Sequence, residues 1–128
     1  MSPRVLLIES DLYLASIYLR RLRAAAFEVI HAAHGEEGWR LMQEEKPDVV
    51  MMELVLPRKD GYEILEDKQS HAELADIPTI ILTKLGSTED VQRCQDFGVS
   101  QYFIKQHHGA DEVIRCIHGV CRTERVYS

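Results

Sequence analysis

The stretch VVMMELVLPRKDG, residues 49–61, carries the first decision about the fold. Val49, Val50, Met51 and Met52 are apolar without a break, so the run lacks the in-out alternation of a strand with one wet face. A short continuous run of this kind belongs in the middle of a sheet covered on both sides, as in parallel sheets. The expected strand covers residues 49–54 and contains Glu53 near its end, followed by Pro57 and the turn pair Asp60-Gly61. An acid at the mouth of a buried strand is costly unless a cation or hydrogen-bond donors receive it, so Glu53 needs a reason.

Working outward, four more short apolar runs predict strands at 5–8, 29–33, 79–82 and 102–104. Helical periodicity fills the gaps. DLYLASIYLRRLRAAAF (11–27) places Leu12, Ala15, Leu19, Leu22 and Ala26 on one stripe, with Asp11 or Ser10 as its cap. EEGWRLMQEEK (36–46) stops before Pro47, and GYEILEDKQSHAEL (61–74) stops before Pro78. STEDVQRCQDF (87–97) opens with a capping-box pattern from Ser87 to Asp90 and closes on Gly98, a residue suited to a left-handed cap. A fifth helix is expected over about 111–123.

Five strands alternating with five helices imply a parallel sheet with helices on both faces, because parallel neighbours need crossover connections. Such sheets place their reactive or binding groups beyond the carboxyl ends of the strands. Those ends read Glu9, Ser10 and Asp11; Glu53; Thr83 and Lys84; and Lys105. Acids, a hydroxyl and ammonium groups thus converge on one rim.

Composition narrows the function. The 128 residues suffice for one domain with one ordinary core, at 45% hydrophobic content. A formal charge of -6 excludes a nonspecific nucleic-acid binder, and the densest basic cluster, Arg20, Arg21 and Arg23, reads as the solvated face of a helix. Three cysteines without framework spacing point to a reducing, cytoplasmic setting, and no leader or membrane span is evident.

With RVLLIESD, ELVLPRKDG, PTIILT and FGVSQYFIK in these positions, nearly the whole chain resembles the receiver domain of two-component response regulators. The resemblance implies a flavodoxin-like, doubly wound (βα)5 domain with a five-stranded parallel sheet of order 2-1-3-4-5, spanning 1–123, with 124–128 as a tail or the start of a linker. It implies an aspartate at the end of the third strand that accepts a phosphoryl group from a histidine kinase, with Mg²⁺ held by strand-one acids and that aspartate. The strand-five lysine, Lys105, and the strand-four hydroxyl, Thr83, would hold phosphoryl oxygens. Tyr102 matches an aromatic that changes rotamer. Partners would be a histidine kinase, an output protein or a second copy, so a monomer or homodimer, met through the fourth helix, fifth strand and fifth helix.

Four positions depart from that pattern. Glu53 occupies the phosphoacceptor place with one extra methylene, and a misplacement of about 1 Å can cost a hundredfold in rate. Ser10 replaces a metal-binding acid with a neutral hydroxyl, a poor ligand for Mg²⁺. Lys84 fills a place usually small and could reach Glu53. Gln106 follows Lys105 where a proline is expected. The leading expectation is a phosphorylation-independent, receiver-like interaction domain without enzyme activity or cofactor, Glu53 being a fixed anion paired with Lys105. The alternatives are a live, Mg²⁺-dependent phosphoacceptor using Glu9, Asp11 and Glu53, and a flavodoxin-like small-ligand binder. The last lacks support, because ESDLYLAS after strand one contains no glycine.

The remaining chemistry-bearing residues read plainly. Cys116, His118 and Cys121 are spaced two and three apart, which does not gather all three on one helix face, and His107-His108 suggest a loop. Trp39 is expected in the core. Tyr13 and Tyr18 fit either a contact surface or edge packing.

Overall fold

Every apolar run is a strand in the computed structural model of the chain, which describes the backbone of residues 2–127 and the side chains of residues 2–120. The elements follow as β1 (Arg4–Ile8), α1 (Leu12–Ala24), β2 (Glu28–Ala32), α2 (Gly35–Glu45), β3 (Val49–Met52), α3 (Gly61–Gln69), α4 (Ala72–Ala75), β4 (Thr79–Thr83), α5 (Thr88–Asp96), β5 (Gln101–Ile104) and α6 (Ala110–Tyr127). The strands form one parallel sheet ordered β2-β1-β3-β4-β5. This is the flavodoxin-like arrangement expected. The helices expected fourth and fifth are α5 and α6, and the proposed tail at 124–128, like Cys121, lies outside the described side chains.

β3 is buried at all four positions, as its unbroken apolar run requires. Alternate residues of each central strand feed two cores. Val5, Leu7, Met51 and Leu82 pack with Ala15, Tyr18 and Leu22 of α1 and with Val113 and Ile117 of α6. Leu6, Ile8, Met52 and Ile81 pack on the opposite face with Met42 of α2, Ile64 of α3 and Cys94 of α5. Each fully buried aliphatic side chain stabilises the fold by roughly 1.5–3 kcal/mol.

Local chemistry ends the helices where the sequence indicates. Asp11 accepts from the Leu14 amide at 3.1 Å and caps α1. Asp60 and Glu63 form a reciprocal capping box at α3, and Ser87 accepts from the Asp90 amide at 3.1 Å at α5. Gly98, with φ of 80°, supplies the left-handed turn after α5.

Three expectations need correction. The buried stripe of α1 is Ala15, Tyr18 and Leu22, whereas Leu12 is 66% exposed in the first turn and Ala26 lies past the helix end. The helix expected over 61–74 is two helices. Its last turn tightens, with Ser70 N donating to Asp67 O and His71 N to Lys68 O, both at 3.1 Å, while His71 Nδ1 also engages the Asp67 carbonyl at 2.8 Å. Strand three ends at Met52, so Glu53 sits just past the ladder.

Candidate functional site

The rim is built by strand ends that remain tethered. Glu9 N donates to Ala32 O at 3.0 Å, Glu53 N to Ile8 O at 3.1 Å and Lys105 N to Thr83 O at 2.8 Å. Each functional side chain therefore leaves a backbone fixed by the neighbouring strand. The β3–α3 turn is equally confined. A Cβ on Gly61 would come 2.7 Å from Leu54 Cα and 2.9 Å from the Glu53 carbonyl oxygen, which is why glycine closes the Asp60-Gly61 pair.

From these anchors Lys105 reaches between two carboxylates. Its Nζ lies 2.8 Å from Glu9 Oε1 and 2.8 Å from Glu53 Oε1. The second oxygens are held by backbone donors: Glu9 Oε2 accepts from the Asp11 amide at 3.0 Å, and Glu53 Oε2 accepts from Leu54 N at 2.6 Å and Val55 N at 3.1 Å. All four carboxylate oxygens are thus engaged. The side chains are 13%, 5% and 7% exposed for Lys105, Glu9 and Glu53, so solvent screens the triad poorly. Burial alone would draw the Lys105 pKa down, but the hydrogen bonds to Glu53 and Glu9, reinforced by their charges, outweigh it and raise the pKa above its ordinary value.

The other rim residues are distributed around this triad. Asp11 is exposed and spends its carboxylate on capping α1, so Glu9, Asp11 and Glu53 do not converge. Ser10 is half-buried. Lys84 is exposed and makes no ion pair among the described residues, which corrects the expected reach to Glu53: Lys105 already satisfies both acids from the buried side. Thr83 is fully buried, and its Oγ1 accepts from the Leu85 amide at 3.3 Å rather than bonding Glu53. Tyr102 packs against the second core and its hydroxyl donates to the Leu85 carbonyl at 2.6 Å; burial, with the Cys94, Asp90 and Glu53 charges, pushes its pKa up to about 12. Gln106 is exposed, and the described peptide bonds are all trans.

Away from the rim, Trp39 is only partly buried, Tyr18 is core and Tyr13 is exposed. His108 lies edge-on to Phe103 and His118 against Phe27, and Cys116 is half-buried with its thiol pKa raised by burial. Among the described residues no three His, Cys, Asp or Glu side chains are grouped to hold a metal. No helix among them is long and apolar enough to cross a membrane.

Sequence reasoning missed Glu9 as the second partner of Lys105. The signal was available in the topology, because β1 and β3 are neighbours in a 2-1-3-4-5 sheet and their terminal acids must lie side by side. It also missed Tyr62 and Lys59 as interhelical ties, and Lys68 as a buried charge; nothing in local spacing marks these.

A doubly wound parallel sheet with an acid at the end of each of two adjacent central strands and a lysine beyond the fifth defines a receiver-type signalling domain. The comparison with known families agrees. The response regulator receiver domain family matches residues 5–117, and the chain belongs to that family, whose members work in two-component signalling. Its relatives include the "DNA-binding dual master transcriptional regulator RpaA" of Synechocystis sp., 30% identical over 124 residues that cover 97% of this chain and 52% of that protein. The "Cell cycle response regulator CtrA" of Brucella ovis is 34% identical over 122 residues, 95% of this chain and 51% of that protein. The chain thus spans about half the length of these relatives.

Solved structures agree on the fold. A CheY-like receiver domain protein from Methanospirillum hungatei superposes with a TM-score of 0.91 at 20% identity, covering 100% of both chains. The receiver domain of a putative LuxO repressor from Vibrio parahaemolyticus gives 0.88 at 22% identity, covering 99% of this chain and 95% of that one.

Proposed function

We propose that this chain is a phosphorylation-independent receiver domain, a non-enzymatic interaction module in which Glu53 serves as a fixed anion. One observation carries the reading: a single ammonium joins Glu9 and Glu53 at 2.8 Å each. A divalent ion here would need hard oxygen ligands directed at one point, near-octahedral for Mg²⁺. The facing oxygens of both acids are committed to Lys105, Asp11 is committed to α1, and Ser10 offers only a neutral hydroxyl. These residues do not fit the ion. One oxygen of Glu53 also accepts from the Leu54 and Val55 amides while the other meets Lys105, so both are engaged within the protein.

A carboxylate is a partial substitute for a phosphoryl group, with one charge and two oxygens against roughly two charges and three oxygens. The Glu53–Lys105 pair supports one standing conformation rather than a switchable one. Its partners would be proteins (a histidine kinase, an output protein or a second copy) met through α5, β5 and α6. RpaA and CtrA are named as regulators, and RpaA as DNA-binding, but this chain aligns with about half of each. Its charge of -6 favours protein contact over direct nucleic-acid contact.

The competing reading, a live phosphoacceptor, rests on family membership and on the retained Glu9, Thr83 and Lys105. Incubation with acetyl phosphate and Mg²⁺ followed by intact mass spectrometry separates the two. The expected spectrum shows the unmodified chain; a phosphoryl-sized increment overturns the proposal.

A further inference from the structure

At the opposite end of the strands from the rim, where β4 begins, a cavity of about 230 Å³ opens between α3, α4 and the turn leading into β5. Leu65, Ala75, Phe97 and Val99 give it apolar walls, and Lys68, Gln69 and Thr79 are the polar residues of its lining. Lys68 is the unusual member. It sits in the last turn of α3 with only 7% of its surface exposed. Its ammonium donates to the Ala75 carbonyl at 2.9 Å, the one hydrogen bond it makes among the described residues.

An ammonium has three donors, and described protein groups engage one of them. No described carboxylate lies within ion-pair distance of it, and Asp76 acts on it only from further away. Burial accordingly lowers its pKa. Long surface lysines normally lead their charge to water, whereas this one ends beside an apolar hollow without a counter-ion. The rim shows the contrast within the same molecule, where the buried Lys105 has two carboxylates.

We infer that the cavity beside Lys68 is a binding site for a small organic carboxylate, the carboxylate pairing with the ammonium and an apolar ring or short chain filling the space between Leu65, Phe97 and Val99. Size supports the class of ligand. A dry cavity of about 150 Å³ holds benzene, so this larger one has room for a ring bearing a carboxylate. The pairing displaces no direct ion pair among the described residues, Asp76 acting on the ammonium only from further away. Thr79, whose hydroxyl donates to the Ile77 carbonyl at 3.4 Å, belongs to the same lining.

Amide NMR titration of the full chain with benzoate, and in parallel with neutral benzyl alcohol, tests this. Benzoate should give saturable shifts centred on Thr79, Gly98 and Val99, with an affinity about tenfold or more above that of benzyl alcohol, the usual weight of a hydrogen bond to a charged group. Lys68→Met should abolish the preference for benzoate, and methionine suits a buried site. Val99→Phe leaves the ammonium in place but fills the hollow, and should remove both ligands. Absence of saturable shifts, equal affinity of the unaltered chain for the two ligands, a preference for benzoate that survives Lys68→Met, or binding that survives Val99→Phe overturns the inference.

Discussion

Removing the ammonium of Lys105 leaves Glu9 and Glu53 facing each other at the ends of adjacent strands, both nearly buried and without a cation. Breaking a buried pair from one side costs about 3–5 kcal/mol, because the stranded charge stays in place. Against a total stability of about 5–15 kcal/mol, Lys105→Met should leave the fold marginal, read as a large drop in urea midpoint. The pH dependence has a fixed sign. The folded-state pKa of Lys105 lies above its ordinary 10.5, so the native state retains a proton that the unfolded chain gives up between the two values. The contribution is complete below about 10.5 and lost as pH climbs through the folded-state value, a slope that Lys105→Met should lack. The Glu53–Lys105 pair was legible in sequence because both residues follow the carboxyl ends of strands, which share one rim in a parallel sheet. The direction of Lys84 and Asp11 was not, since one residue of register past a strand decides whether a side chain turns inward or to water.

Between elements, α3 and α5 are tied by a small polar cluster. The Tyr62 hydroxyl donates to Asp90, Ser87 Oγ donates to Asp90 Oδ2 at 2.7 Å, and the Arg93 guanidinium lies 3.7 Å from the Tyr62 ring centre. Burial and the bond to Asp90 push the Tyr62 hydroxyl well above its usual pKa, while the donors from Tyr62 and Ser87 hold the Asp90 carboxyl below its own. Tyr62→Phe keeps the ring and its cation contact but deletes the donor. The cost should be about 1 kcal/mol, below the usual range for a bond to a charged group because Asp90 is half-exposed. Hydrogen exchange of α5 amides should quicken in the variant. The depressed folded-state pKa of Asp90 means the difference from wild type is present above about 3.8 and fades as acid titrates the carboxylate. Helix positions and caps were legible because period and capping residues agree, as at Ser87 and Gly98. The break at Ser70-His71 was not, because neither residue is a strong helix breaker and a tightened last turn decides it.

At the scale of the molecule, one sheet serves two cores, since successive residues of β1, β3 and β4 point alternately into each. Neither core can open without stripping the same strands; β1 and β3 carry Glu9 and Glu53 at their ends, and Lys105, just past β5, is hydrogen-bonded to the end of β4. The fold class was legible from the five apolar runs for this reason: an unbroken run such as 49–52 is useful only in a sheet with two buried faces. Its energetic consequence is that the helical layers and the rim should be lost together. Trp39, the one tryptophan, packs beside the second core and meets His71 edge-on at 5.1 Å, so its fluorescence reports α2 and its surroundings. Far-ultraviolet circular dichroism reports all the helices, including α1 and α6 on the other face. The two probes should give coincident urea transitions in the wild-type chain. Lys105→Met should move both midpoints equally, although the ion pairs of Lys105 are confined to the rim. A tryptophan transition separated from the dichroism transition would show that the layers open independently, and the strand ends could then no longer be treated as one rigid support for the rim triad.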